Sequence, residues 1–398
     1  MAEDHRTMSL FPISDQELER RWSAVRARMK EEAIDVLVMQ DTNEWLGGYV
    51  KWFTDFPAGT GYPMSVIFPA DDRMTTITSG GKPPNDYAPP PWTVRGVKER
   101  LTAPYFPTLC YSDTYGAERG VEALKNWKKG KIGILGRGKI PVAFYEYIAE
   151  NLPQATFVDG SDLVDEIKAV KSDEEIGMIR RTAALQDETI QYAKTVIRPG
   201  RKIYEITAEI QYKVIQLGSN GQLITAASGP VGESVVPKRR HWQGKTVREN
   251  EYFNLMIEVN GPGGMYTEIG RTFFTGGKVP AELVDAYELC KEAQKVSLKL
   301  LKPGAAPADI WDAHNEFLTA RGHLPETRLY AHGQGYDLVE RPAIRWDEPM
   351  KLKKNMNITV HPTVGTSRLY AWVCDNYLIT ETGVSPCLHK TPQEIFCW

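Results

Sequence analysis

The sequence predicts an α+β chain of two domains: a smaller N-terminal α/β domain over residues 1–165, and a C-terminal domain over residues 166–398 built from two pseudo-equivalent halves. Three observations predict it. Residues 15–158 alternate helix-length amphipathic runs with short apolar runs. Ser172-Asp173-Glu174-Glu175 has the form of a capping box at the start of a long helix. Two later stretches then repeat one plan. The first ends a helix in Ile197-Arg198-Pro199-Gly200, starts another at Ile203 and closes on Ser228-Gly229. The second ends a helix in Leu301-Lys302-Pro303-Gly304, starts another near Pro307 and closes on His332-Gly333. Pro199 to Gly229 and Pro303 to Gly333 are the same distance apart, so the copies share length, punctuation and order.

In the N-terminal domain, Asp15 to Glu32 has helical periodicity and Ala33 to Met39 is an apolar run of buried-strand type. Met64 to Phe68, Thr75 to Thr78, Ile132 to Leu135 and Thr156 to Val158 read as further strands, with a helix over Tyr145 to Asn151. The aromatic and glycine-rich stretch from Trp45 to Tyr62 reads as a structured loop, either packed on its own sheet or walling a pocket. In the second domain the capped helix runs to Ile197, where Pro199-Gly200 stops it. Tyr252 to Asn260, Met265 to Phe274, Asn357 to Thr363 and Leu369 to Thr380 supply strands, predicting a curved antiparallel sheet backed by helices, with a cleft between the halves.

With 398 residues, 42% hydrophobic and 25% charged, the chain is long enough for two well-buried cores. A net charge of -3 gives no basic field for nucleic acid or anionic membrane. No run approaches a membrane span and Met1 to Leu10 lacks a signal-peptide core, so a cytoplasmic protein is expected. Cys110, Cys290, Cys374, Cys387 and Cys397 are odd in number and not closely paired, which predicts free thiols.

Five motifs together carry a resemblance: Lys171-Ser172-Asp173-Glu174-Glu175; Thr267-Glu268-Ile269-Gly270-Arg271-Thr272-Phe273; Ala331-His332-Gly333-Gln334-Gly335; Val360-His361-Pro362; and Asp375 to Gly383. As a set they resemble the pita-bread fold of methionine aminopeptidase, prolidase, aminopeptidase P and creatinase, with the two-domain layout of the creatinase and prolidase branch. The family's peptidases hold two divalent metals with two Asp, one His and two Glu. Here the first Asp falls on Met256 or Ile257, the second on Glu268, the His on His332, and the two Glu on His361 and Cys374. That set lacks the bridging carboxylates a paired-metal centre needs. The resemblance to metal-free creatinase and to ectoine hydrolase then implies an enzyme without cofactor or metal, cleaving a non-peptide C–N bond of a small nitrogenous metabolite. A metal-dependent Xaa-Pro peptidase or lyase of the same fold, and a non-catalytic binding member, are the alternatives. The branch also implies a homodimer whose small domain caps the partner's cleft, for which Trp45, Trp52 and Phe53 look exposed, with Tyr62 in the same segment.

Metal-free hydrolysis needs a base, an acid and fixed charge for the substrate. His332 and His361 are the candidates for acid and base, since imidazole titrates near working pH. Glu268 and Glu258, on adjacent strands, are candidates to clamp a cationic group, and Cys374 is a candidate nucleophile or a small apolar filler. Asp375 either polarises a histidine or pairs with Arg271, itself read as a buttress of the site. His241 is the imidazole nearest creatinase's first catalytic position, while Glu340 and Arg341 offer a guanidinium for a substrate carboxylate. His314 falls on a helix, and His5, His323 and His389 in expected surface segments; none receives a role.

Overall fold

The computed structural model describes residues 11–84 and 87–397, and these form two compact units that divide between Lys168 and Ala169. Among the described residues no helix is long and apolar enough to cross a membrane. The five cysteines are all free.

In chain order the first unit contains α1 (Asp15–Glu31), β1 (Val36–Asp41), α2 (Gly48–Thr54), β2 (Met64–Pro69), β3 (Met74–Ser79), β4 (Val97–Ala103), α3 (Tyr115–Leu124), β5 (Lys131–Ile134), α4 (Val142–Asn151), β6 (Thr156–Asp159) and α5 (Ser161–Lys168). Its six strands make one mixed sheet in the order β4-β3-β2-β1-β5-β6, parallel across β1–β5–β6. The fully buried β1 and β2 match their apolar runs. Half-exposed β4 has no such run, and the sequence did not mark it. Where the sequence suggested a loop from Trp45 to Tyr62, the chain instead forms α2. Tyr49, Trp52 and Phe53 stand at helical spacing, and Trp52 (1% exposed) and Phe53 (0%) are buried, the latter edge-on to Phe68. They cannot reach a partner's cleft. Trp45 is half-buried, and Tyr62 stays exposed against Phe106.

The second unit begins with α6 (Asp173–Val196), α7 (Ile203–Gln216), β7 (Gln222–Pro230), β8 (Glu251–Asn260) and β9 (Tyr266–Phe274). It continues with α8 (Ala281–Leu300), α9 (Pro307–Thr319), β10 (Ala331–Gly333), β11 (Glu340–Ala343), β12 (Asn357–Val360), β13 (Thr363–Gly365), β14 (Tyr370–Trp372), β15 (Asp375–Leu378) and β16 (Phe396–Cys397). The predicted capping box opens α6: the Ser172 hydroxyl accepts the Glu175 amide at 3.2 Å, and the Glu175 carboxylate accepts the Ser172 amide at 2.8 Å.

The internal repeat reaches individual hydrogen bonds. Gly200 (φ 85°) and Gly304 (φ 84°) take the left-handed conformation that stops each first helix, where a side chain would be strained. Gly200 N–H donates to Val247 and Gly304 N–H to Leu352. Val247 N–H returns to Arg201 and Leu352 N–H to Ala305. Each half then lays strands on its helix pair, giving the sheets β16-β9-β8-β7 and β11-β10-β12-β15, linked by a bridge between Gly270 and Cys374. In the first half, Phe253, Leu255, Ile257 and Val259 of β8 with Ile269 and Phe273 of β9 pack on α6 and α7 as the core. The alternate residues of those strands face the other way, toward the second half.

Candidate active site

Pairing of β8 with β9 settles which side chains enter the cleft. Residues directly opposite each other share a face, and the register sets Asn254 against Thr272, Met256 against Gly270 and Glu258 against Glu268. Ile257, one of two positions aligned with a family Asp, lies on the core side, and Met256 faces Gly270. The carboxylate that stands across from Glu268 is Glu258. Sequence alignment missed this, because the gap inside the hairpin can be placed only when the pairing is known.

From the second half come His332 on β10, His361 just beyond β12, and Cys374 just before β15. Glu268, His332 and His361 are all buried, and their ligand atoms lie within 4.8 Å of one another. The imidazoles meet edge to face, with ring centroids 5.3 Å apart. His332 Nδ1 sits 2.9 Å from the Gly333 carbonyl, so Nδ1 carries the proton and Nε2 presents its lone pair. His361 Nε2 is buried without a hydrogen-bond partner. Burial pushes His332 down to about 4, with the Gly333 carbonyl opposing, and His361 falls well below its ordinary value through burial, His332 and Arg328. Both rings are therefore neutral at physiological pH. Burial pushes Glu268 up to about 7, and burial together with the Glu268 charge holds Glu258 well above its ordinary value, with the Gln334 hydrogen bond opposing.

A buried amide network, to which the sequence reading gave no role, holds the carboxylates. Gln334 Nε2 donates to Glu258 Oε1 at 2.9 Å, Asn376 Nδ2 donates to Gln334 Oε1 at 2.8 Å and to Asn357 Oδ1 at 3.1 Å, and the Glu268 amide donates to Asn376 Oδ1 at 2.8 Å. The available signal was chemical: Gln334 and Asn376 are amides inside motifs flanked by apolar runs, and a buried amide must be partnered.

Other candidates land elsewhere. Cys374 is wholly buried, its sulfur directed at Thr359 Oγ1 (3.4 Å) and the Glu268 carbonyl (3.5 Å); burial and the Glu268 carboxylate hold the thiol well above its usual range, so it sits as a protonated filler. Asp375 and Arg271 point away from the Glu268 face, both with side chains 0% exposed, and pair at 2.7 Å. Arg271 also donates to the carbonyls of Gly270, Cys374, Thr391 and Pro392, while Asp375 receives Gln393 and lies beside His389. Burial raises the Asp375 pKa, but Arg271 and His389 outweigh it and hold the carboxyl well below its usual range. This pair buttresses the fold and takes no part in the cleft.

Glu340 is locked to Lys171 (2.6 Å, both 3% exposed) and Arg341 to Glu348 (2.6 Å), so neither waits for substrate. His241 is exposed on the short turn Arg240–Trp242. His389, expected at the surface, is buried beside Asp375, and His314 is buried and stacked on Tyr330 at 3.8 Å. His5 lies outside the described residues.

Comparison with known proteins agrees with this architecture. Residues 177–381 match the family described as Metallopeptidase family M24, and residues 21–170 match the Creatinase/Prolidase N-terminal domain. The chain is 28% identical to the Uncharacterized hydrolase/peptidase y4tL of Sinorhizobium fredii, covering 97% of each. It is 24% identical to an Xaa-Pro dipeptidase of Pyrococcus furiosus over 69% of this chain and 77% of that protein. Among solved structures, an X-Pro aminopeptidase from Thermotoga maritima shares the fold with a TM-score of 0.78 at 18% identity, covering 95% of this chain and 99% of that one. These relatives correct the expectation of an enzyme for non-peptide C–N bonds: their names place them on peptide bonds. Metal independence finds no support either, because the matching family is described as one of metallopeptidases.

Proposed function

We propose, from the premise that this chain belongs to metallopeptidase family M24 and carries its creatinase/prolidase N-terminal domain, that it hydrolyses the amide bond of a short Xaa-Pro-type peptide at a site for one divalent metal ion. The observation that carries this reading is the convergence of Glu268, His332 and His361, with ligand atoms within 4.8 Å and an unpartnered His361 Nε2 among them. Two neutral imidazoles and one carboxylate are the donor set of catalytic zinc sites that keep a fourth position open.

A second ion does not fit these residues. Two of the family's carboxylate positions carry His361 and Cys374, and the Cys374 sulfur is turned to Thr359 and a carbonyl. Glu258 and Glu268 alone would have to offset the repulsion between two dications.

Bound in the trio, an ion supplies Lewis acidity and lowers the pKa of water. The chain's own residues do the rest. His332 and His361, read from sequence as acid and base, act through their ring lone pairs as ligands, with Gly333 fixing the His332 tautomer. The candidate proton carrier is Glu258, opposite Glu268 and oriented by Gln334: a dication in the trio would favour its ionised form, which would take the proton of the attacking water and return it to the departing imino nitrogen.

The test is release of free proline from a panel of Xaa-Pro dipeptides, with chelator and after reconstitution. Proline release that stops with chelator and returns with about one equivalent of zinc or manganese supports the reading. Full activity in chelator, or no cleavage by protein with its metal bound, refutes it.

A further inference from the structure

Charge is not spread evenly over the surface of the second unit. The turn Arg240–Trp242 is strapped to the start of α7 through Gln243, which is 0% exposed: its Nε2 donates to the Lys238 carbonyl (2.6 Å), its Oε1 accepts the Thr207 hydroxyl (2.7 Å), and its carbonyl accepts the Tyr204 amide (3.0 Å). Lys238 exchanges both backbone hydrogen bonds with Ala226 of β7, and the Arg240 guanidinium donates to Gln211 of α7. A turn held at so many points presents its side chains already ordered. Lys238, Arg239 and Arg240 are exposed on it, and none has a carboxylate partner among the described residues. The acids nearest in sequence are engaged elsewhere, Glu205 by the Lys202 amide, Glu209 by Arg201 and Glu251 by Lys245. Apolar groups stand in water around these cations: Trp242 is 70% exposed and Tyr212 62%, with Tyr204 and Ile215 exposed on α7. Tyr204, Ala208, Gln211 and Ile215 follow one another at the steps of a single helix face, the one that Arg240 reaches. Tryptophan and tyrosine interleaved with arginine is the composition of the energetic centre of a protein interface.

The internal repeat supplies the complement. The spacing that carries Gly200 to Gly304 also carries Ala208 to Asp312 and Tyr212 to Glu316, so α7 and α9 hold equivalent places in the two halves with opposite surfaces. Asp309, Asp312 and Glu316 are exposed along one face of α9, and none has a cationic partner among the described residues. Like charges at that spacing weaken a helix unless opposite charge is brought to them from outside. Trp346, 57% exposed, lies beside this helix with its ring 5.2 Å from that of Trp311. One surface is cationic with an exposed indole, and the equivalent one is acidic with another.

We propose that copies of this chain associate by laying the α7 face of one on the α9 face of another, Arg239 and Arg240 meeting Asp312 and Glu316 while Trp242 is buried as the anchor. In a twofold pair the contact forms twice, so each copy answers the charges of the other. The measurement is assembly mass by sedimentation velocity on the full chain. The parent is expected as a multiple of the single chain at micromolar concentration, and to loosen as salt of about 0.5 M screens the charges. Arg239→Glu with Arg240→Glu, and separately Asp312→Lys with Glu316→Lys, should each raise the dissociation constant at least about 10-fold and cut the assembly to half its mass or less. Trp242→Ser, which changes no charge, should do the same. All five positions are exposed, and thermal melts matching the parent's are expected of every variant. The decisive arm mixes the two charge-reversed proteins: each carries one sign on both faces, so neither pairs with itself, and the mixture should regain the parent's mass. A parent that sediments as a single chain, variants with the parent's mass, or a mixture that stays apart would overturn the proposal. Binding of polyglutamate to parent chains that do not associate would overturn it too, and would give the cationic face to a foreign acidic protein.

Discussion

Replacing Asp375 with Asn tests whether the fold divides the conserved-looking motif residues as described, half to the cleft and half to the scaffold. The substitution keeps size and packing but leaves the Arg271 guanidinium, 0% exposed and permanently charged, without its counter-ion. Removing one partner of a buried pair costs about 3–5 kcal/mol. Arg271 retains four carbonyl acceptors, so its hydrogen bonds survive and only charge compensation is lost, which places the expected cost near the lower figure, about 3 kcal/mol. The sign with pH follows from the depressed pKa of Asp375. Its stabilisation is complete above the unfolded carboxyl value, roughly 3.9, and disappears as pH falls through the lower folded value. Asp375→Asn should therefore be markedly less stable than the parent at pH 7, with the gap narrowing in strong acid. Urea unfolding read by pulse proteolysis resolves the C-terminal unit and gives the number. A variant within about 1 kcal/mol of the parent at pH 7, or one that stays stable but loses metal affinity, would show that Asp375 does not serve the scaffold as argued.

Two further substitutions probe the site's surroundings. Gly270→Ala places a Cβ 2.6 Å from the Trp372 ring and 2.9 Å from Cys374 Cβ; overpacking should cost about 1–3 kcal/mol and loosen metal binding through Glu268, and a variant with the parent's melting temperature would contradict the close approach. Lys171→Met leaves Glu340 buried without the Lys171 ammonium, an expected loss of about 3–5 kcal/mol with metal stoichiometry unchanged, and a drop in metal content instead would return Glu340 to the site.

Much of this was legible in the sequence because the repeat is written in local chemistry. Pro199-Gly200 and Pro303-Gly304 stop helices by backbone geometry alone, and the Ser172–Glu175 box closes on itself within four residues. His332, His361 and Glu268 could be found because each sits in a motif with its own register. What stayed hidden depends on pairing between distant segments. The partner of Glu268 is decided by a hairpin register, so Glu258 was weighed as a substrate clamp and the aligned Asp was sought at Met256 or Ile257. Strand alternation turns Cys374 and Asp375, neighbours in sequence, to opposite faces, which no composition reveals. Trp52 and Phe53 looked exposed because glycines around them suggested a loop, whereas their spacing with Tyr49 is that of a buried helical stripe.

The central claim is that Glu268, His332 and His361 bind a single divalent ion, and native mass spectrometry of the chelator-treated protein titrated with zinc counts it directly. The account predicts saturation at one ion per chain, lost in His361→Ala, and unchanged in Asp375→Asn at a temperature where that variant is folded. Two ions per chain, or one ion that survives the loss of His361, would contradict it.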